Sequence, residues 1–272
     1  MTALIALLLV LLAESSLLAQ AQPTPSAAAP SASAVPVAAD GRIWVGREKE
    51  FEEFLTTAPI VRFEDVPVGV TKPRRGFFAP GGLVESIVFK PIRPGRAKGF
   101  FESYKSEIAA YELDKILDLE MVPPTIEKRH RHEIGSAQLW VDRCVLLKTK
   151  SGQQAPDPRA WNRQVYRQRV WDNLIANIDR NEGNLLVDEQ WNLVLIDHSR
   201  AFTGLKTIKY PMIRIDRPFY ERLKELTEDD LKIRLRGLLM DGPKPLIRRR
   251  DAIVAHFEKL IAERGEAAVL TE

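Results

Sequence analysis

The sequence has a single cysteine, Cys144, among its 272 residues. One thiol cannot form an intrachain disulfide or a cysteine metal cluster, so both are excluded as sources of stability. The sequence also lacks an excess of one charge, because 40 Lys and Arg stand against 37 Asp and Glu, for a net charge of +3. A dedicated nucleic-acid-binding protein carries a strongly basic face, so we expect no nucleic-acid partner.

A hydrophobic run long enough to span a bilayer is also missing. The apolar run from Thr2 to Ala13 is shorter than the roughly 20 residues that a membrane-spanning helix needs. It is followed by the A-x-A pattern of Ala19 to Ala21. Residues 1–21 are therefore predicted to be a signal peptide that exports the protein to the periplasm or the extracellular space. No Lys or Arg precedes the run, so an uncleaved anchor that attaches the protein to a membrane is the alternative.

Large apolar side chains are scarce in residues 22–40, which are nearly all Ala, Pro, Ser and Val. Such a composition cannot build a core and predicts a disordered linker. The rest of the chain divides into a strand-rich lobe, 41–142, and a helix-rich lobe, 143–272, and we expect a monomer. The first lobe is predicted to contain helices at Glu48 to Thr57 and Glu102 to Leu117 and strands at Ile60 to Val66, Gly76 to Ala79, Leu83 to Lys90 and Gln138 to Val141; the second, helices at Arg159 to Ile178, Thr227 to Met240 and Pro245 to Arg264.

Two short apolar runs, Leu185 to Val187 and Leu193 to Ile196, flank a polar turn and predict a β-hairpin. Antiparallel pairing about that turn would bring Asn184 and Asp197, at the two ends of the hairpin, to the same point. Amide and carboxylate oxygens are hard ligands that suit Mg²⁺. These two residues are therefore the predicted metal ligands.

Asp179 lies five positions before Asn184, which is the D-x-x-x-x-N spacing of the protein kinase catalytic loop. In that loop the Asp accepts the proton of the attacking hydroxyl, and we predict this role for Asp179. Phosphoryl transfer also needs a cation on the phosphates. Lys90, at the end of an apolar strand, is the candidate, and Glu107 on the next helix is its predicted partner, with Glu112 as the alternative.

A glycine-rich G-x-G-x-x-G loop is absent. The segment between the first two predicted strands contains Gly69 and Thr71, and its backbone amides could lie over the phosphates. Both residues are therefore predicted to contact the nucleotide.

The ordered set of Lys90, Glu107, Asp179, Asn184 and Asp197 resembles the atypical kinases that include phosphatidylinositol 3- and 4-kinases, HipA-type kinases and secretory-pathway Golgi casein kinases. The resemblance covers about 61–202 and implies an α+β, two-lobed protein-kinase-like fold with a small antiparallel-sheet N-lobe and a helical C-lobe. It implies transfer of the γ-phosphate of ATP, with Mg²⁺ or Mn²⁺, to a hydroxyl of a protein, lipid or sugar.

The same resemblance implies that Lys90 binds phosphates, that Glu107 orients Lys90, and that Gln138, Leu139, Trp140 and Val141 form the hinge that touches adenine. Asn181 stands where the D-R-H-x-x-N motif of these kinases has histidine. That departure makes a catalytically weak or inactive pseudokinase, acting as a nucleotide-binding or regulatory module, the alternative function.

Overall fold

The computed structural model describes residues 41–67, 72–97, 99–204 and 209–272. The predicted signal peptide and linker, as well as Gly69 and Thr71, lie outside these residues. Within the described ranges, none of the helices is both long and apolar enough to cross a membrane.

The first half of the described chain forms an antiparallel sheet of five strands in the order β1-β2-β3-β7-β6. The β6–β7 hairpin turns at Arg131, whose φ is 52°. The register places Val88 opposite Gln138 and Lys90 opposite Ser136, so the end of β3 lies beside the middle of β7. The strands of this half are β1 (Arg62–Asp65), β2 (Arg74–Phe77), β3 (Ser86–Lys90), β4 (Gly95–Ala97), β5 (Phe100–Glu102), β6 (Thr125–His130) and β7 (Glu133–Leu139).

Helices dominate the second half of the chain. Side-chain caps mark the starts of two of them: Asp157 accepts hydrogen bonds at the start of α3, and Thr227 with Asp230 forms a capping box at α5. The helices are α1 (Glu48–Thr57), α2 (Tyr104–Leu117), α3 (Pro158–Leu174), α4 (Arg217–Glu225), α5 (Glu228–Arg234), α6 (Lys244–Arg264) and α7 (Glu266–Val269), and the later strands are β8 (Val145–Leu146), β9 (Leu185–Val187), β10 (Leu193–Leu195), β11 (Ile215–Asp216) and β12 (Leu270–Thr271).

The buried apolar side chains of the described residues form two hydrophobic clusters. The first joins α1 to the large sheet through residues such as Phe51 and Phe89, and the second joins the C-terminal helices through residues such as Trp171 and Phe257. Helix α2 packs into the second cluster through Leu113 and its neighbours, although the sequence places it in the first lobe. Helix α2 is therefore in contact with β6 and β7 of the first half and with α4 of the second. The predicted lobe boundary between residues 142 and 143 stays a prediction.

Several predicted boundaries were wrong by a few residues. Strands β2 and β3 run over 74–77 and 86–90, whereas the sequence predicted 76–79 and 83–90. Helix α3 ends at Leu174 instead of Ile178, because Ala176 adopts a left-handed φ of 52° and the backbone N–H of Phe202 caps the carbonyl of Ile175. The predicted helix Thr227 to Met240 ends at Arg234, and the β4–β5 hairpin between β3 and α2 was not predicted.

Candidate active site

Lys90 is the centre of the site. Its Nζ lies 2.6 Å from Glu107 Oε1 and 2.8 Å from Asp197 Oδ1, and the residue is buried. Burial by itself would lower the pKa of Lys90, but the carboxylates of Asp197 and Glu107 outweigh burial and raise it. The ammonium is therefore charged at any physiological pH and is held between two acidic groups.

Glu107 reaches Lys90 because of where α2 begins. Ser103 caps the helix by accepting a hydrogen bond from the N–H of Lys105, so Glu107 lies in the first turn, beside the end of β3. Its second oxygen, Oε2, accepts a hydrogen bond of 2.9 Å from the backbone N–H of His198. The alternative partner, Glu112, pairs with Lys115 instead. The sequence prediction of Glu107 is thus the one that the geometry supports.

The predicted hairpin of β9 and β10 forms with Leu193 opposite Val187. Beyond the ladder, the N–H of Ile196 donates to the carbonyl of Asn184 at 3.2 Å. Asn184 and Asp197 consequently line one cleft. The chain turns sharply at Asp197, whose φ of 59° lies in the left-handed region, and this turn directs its carboxylate toward Lys90.

Arg180 connects the loop of residues 179–184 to the β9–β10 hairpin. Its Nε lies 3.0 Å from Asp172 Oδ2, and its Nη1 donates to the carbonyls of Asn184 and Ile196 at 2.7 Å each. Its Nη2 donates to His198 Nε2 at 3.0 Å, so the proton of that ring sits on Nδ1, because arginine has no acceptor. Burial, together with the charges of Arg180 and Lys90, lowers the pKa of His198 well below its usual value, and the ring is neutral.

Asp179 lies at the edge of the site. Arg200 Nη1 contacts Asp179 Oδ2 at 3.0 Å, while Arg200 Nε donates to Glu102 Oε1 at 2.7 Å. The guanidinium also lies over the ring of Phe100, 4.5 Å from its centroid. The backbone carbonyl of Asp179 accepts from Asn184 Nδ2 at 3.1 Å. Asp179 is therefore fixed at both its carboxylate and its backbone.

The cleft between the large sheet and the β9–β10 hairpin has a volume of about 490 Å³. Its walls are mostly apolar, with Val88 on one side and Leu186 and Ile196 among the residues that complete it. Lys90, Asn184 and Asp197 also line it. The four predicted hinge residues all line this cleft: Gln138, Leu139, Trp140 and Val141.

The chemistry of the donor set fits a divalent cation that is shared with a ligand. In the described part of the chain, no group of three His, Cys, Asp or Glu could hold a metal by itself. Asn184 gives its Nδ2 to the carbonyl of Asp179, which leaves its amide oxygen for another partner. Asn184 and Asp197 thus supply two hard oxygens, and Mg²⁺ usually takes only one or two protein ligands alongside phosphates and water.

Asn181, which departs from the expected histidine, is exposed. Its Oδ1 accepts from the N–H of Gly183 at 2.8 Å and its Nδ2 donates to the carbonyl of Asp179 at 2.9 Å. The Asn181 side chain therefore stabilises the local backbone turn through hydrogen bonds to residues 179 and 183. The departure takes no group away from Lys90, Asn184 or Asp197.

Four residues of the site were not singled out as functional from the sequence: Glu102, Asp172, His198 and Arg200. The partners of Arg200 lie 98 and 21 positions away, so only the folded chain reveals the contact. Asp172, the buried partner of Arg180, lies inside α3 and carries no local signal. His198 contacts Arg180 through its ring and Glu107 through its backbone N–H, and both partners lie far from it in the sequence.

No protein-family model matches the chain, and a search of curated proteins finds no match. Solved structures do match in fold. A crystal structure of the Golgi casein kinase with Mn/ADP bound aligns with a TM-score of 0.61 and 16% identity, covering 85% of this chain and 79% of that chain. A second crystal structure of the Golgi casein kinase gives 0.60 and 15%, covering 82% and 79%.

A crystal structure of the Helicobacter pylori proinflammatory kinase CtkA aligns with a TM-score of 0.48 and 13% identity, covering 77% of this chain and 98% of that chain. The fold of this chain is a two-lobed, α+β kinase-like fold, as the sequence predicted. The wider grouping with phosphatidylinositol kinases and HipA-type kinases stays a prediction.

Proposed function

We propose that this protein is an ATP-dependent phosphotransferase that moves the γ-phosphate to a hydroxyl of a protein, lipid or sugar. The observation that carries the proposal is the position of Lys90, paired with Glu107 and Asp197 at one end of an apolar cleft. In kinases a lysine held by a glutamate binds the phosphates, and an aspartate beside it binds metal. The kinase-like fold supports the same interpretation.

The nucleotide would bind with its base between Val88 and Leu186 and its phosphates toward Lys90. The apolar walls suit a purine ring, and the hinge residues 138–141 would contact its edge. Outside the described residues, Gly69 and Thr71 are proposed to lie near the phosphates.

Asn184 and Asp197 would hold Mg²⁺ or Mn²⁺. A bound cation would neutralise the charge of the β- and γ-phosphates. Burial by itself would raise the pKa of Asp197, but Lys90 outweighs burial and lowers the pKa to about 2, so this carboxylate is ionised and ready to bind metal at neutral pH. The Golgi casein kinase structure with Mn/ADP bound supports testing Mn²⁺ first.

Asp179 would accept the proton of the acceptor hydroxyl. The hydroxyl oxygen forms a bond to the γ-phosphorus, the bond from that phosphorus to the bridging oxygen breaks, and ADP leaves. Arg200 holds Oδ2 of Asp179, while Oδ1 accepts no hydrogen bond from the described residues. This oxygen is therefore available to the acceptor.

Calorimetric titration of ADP in the presence of Mn²⁺ tests whether Lys90 and Asp197 form a nucleotide and metal site. We expect Asp197→Ala to abolish metal-dependent ADP binding, because it removes the charged metal ligand, and Asp229→Ala, which changes an exposed acid, to bind as the wild type does. Unchanged affinity in Asp197→Ala would contradict the assignment. The pseudokinase alternative would show itself as intact ADP binding in the wild type without phosphate transfer.

We also propose that the protein is exported. This rests on the sequence of residues 1–40, which lie outside the described part. Amino-terminal sequencing of protein from its native source should give a mature chain that begins at or near Gln22. An intact terminus in a membrane fraction would instead identify an anchor, and an intact terminus in the soluble cytoplasm would refute export.

A further inference from the structure

Gln138 is a buried polar side chain in the wall of the cleft. It is 5% exposed, lines the cleft, and lies in β7 directly opposite Val88 of β3. Its neighbours Leu139 and Val141 are apolar. A buried amide needs hydrogen-bond partners both for its NH₂ group, which donates, and for its oxygen, which accepts.

Thr125 determines which way this amide points. The hydroxyl of Thr125 donates to the carbonyl of Pro123 at 2.8 Å, and Gln138 Nε2 lies 2.9 Å from the same hydroxyl oxygen. A hydroxyl has one proton, so Thr125 must accept from Gln138. In the reverse orientation of the amide, the Thr125 hydroxyl would have to donate to Gln138 and would lose its hydrogen bond to the carbonyl of Pro123, among buried groups.

The oxygen of Gln138 is thereby left uncommitted. Within the described residues, Oε1 accepts no hydrogen bond. A ligand that offers an N–H to this oxygen gains a hydrogen bond, whereas one that presents another acceptor leaves two buried oxygens facing each other. The 6-amino group of adenine is a donor and the 6-oxo group of guanine is an acceptor.

We propose that Gln138 makes this site selective for nucleotides whose base carries an exocyclic 6-amino group over those with a 6-oxo group. Thr125 is a positioning residue that acts through Gln138. The inference rests on the proposed nucleotide-binding function and adds a residue that determines which nucleotide is used.

The test compares ADP with inosine diphosphate, whose base has a 6-oxo group in place of the 6-amino group and a proton on N1, by calorimetry with Mn²⁺. The wild type should bind ADP about tenfold more tightly or better, as expected for one buried hydrogen bond and its unpaired counterpart. Gln138→Met fills similar space without an acceptor, so the preference for ADP over inosine diphosphate should shrink relative to the wild type.

Thr125 supplies a matched pair of variants that leave the cleft wall itself unchanged. Thr125→Val removes the hydroxyl and frees the amide to turn, so the preference for ADP should shrink. Thr125→Ser keeps the hydroxyl and should keep the preference. A side chain that only filled space at position 138 would not respond to this difference.

An unchanged ratio in Gln138→Met, or in Thr125→Val, would overturn the inference. Equal binding of both nucleotides by the wild type would overturn it as well while leaving the proposed function standing. Failure of the wild type to bind either nucleotide would refute both. If Gln138→Met does not fold, the Thr125 pair decides the question.

Discussion

Replacement of Arg180 by methionine tests whether the site is built on a buried ion pair. The Arg180 side chain is 3% exposed and that of Asp172 is 0% exposed. The change would remove both carbonyl contacts, to Asn184 and Ile196, and leave the carboxylate of Asp172 without a cation. Breaking a buried pair from one side costs about 3–5 kcal/mol, out of a total stability of about 5–15 kcal/mol for a typical protein.

The free energy of unfolding, measured by urea denaturation, should therefore fall by that amount in Arg180→Met. The matched control is Arg217→Met, which removes an arginine that also contacts two acids, Glu266 and Glu272, but on the surface. Exposed pairs contribute little because water screens them, so the control should stay close to the wild type.

The double variant Asp172→Asn with Arg180→Met should lose less stability than the sum of the two single variants, because no buried charge then stays unpaired. A loss in Arg180→Met no larger than that in Arg217→Met would refute the reasoning. It would show that the Arg180 network is not what holds the loop of residues 179–184 against the β9–β10 hairpin.

Two further predictions concern Asp114 and Arg200. Burial raises the pKa of Asp114 to about 8, so the folded chain binds more protons than the unfolded chain between about pH 4 and pH 8, and the unfolding free energy should fall as pH rises through this window. In urea denaturation at a series of pH values, Asp114→Asn should show a smaller fall of the unfolding free energy between about pH 4 and pH 8 than the wild type. The same dependence on pH in the variant and the wild type would contradict this prediction. Arg200→Gln frees the carboxylate of Asp179 and should lower kcat for phosphate transfer by about ten- to hundredfold with little change in KM for ATP. A rise in KM without a fall in kcat would mean that Arg200 serves the nucleotide instead.

The sequence was most informative where a residue and its partner are linked by regular local structure. Lys90 ends a strand, Glu107 lies in the first turn of the next helix, and Asn184 and Asp197 stand at the two ends of one hairpin, so local pairing rules bring each of them to its place. This is why the kinase-like architecture could be predicted without a match to a family model.

The sequence was least informative where contacts join distant segments. Nothing near Arg200 indicates that it pairs with Glu102, and nothing near Thr125 indicates that it orients Gln138. The β4–β5 hairpin was missed because Pro94, Gly95 and Gly99 are typical of a loop. The end of α3 was misplaced because the carbonyl of Ile175 is capped by Phe202, a contact that forms only in the folded chain.

The most direct test of the account is phosphate transfer by the purified mature chain with labelled ATP and Mn²⁺. The wild type should modify itself or a hydroxyl acceptor in a screen of proteins, lipids and sugars. Asp179→Asn, which keeps the shape of the side chain but cannot take up the proton, should lose that activity while still binding ADP. Transfer at the same rate by Asp179→Asn, or ADP binding by the wild type without any transfer, would contradict it.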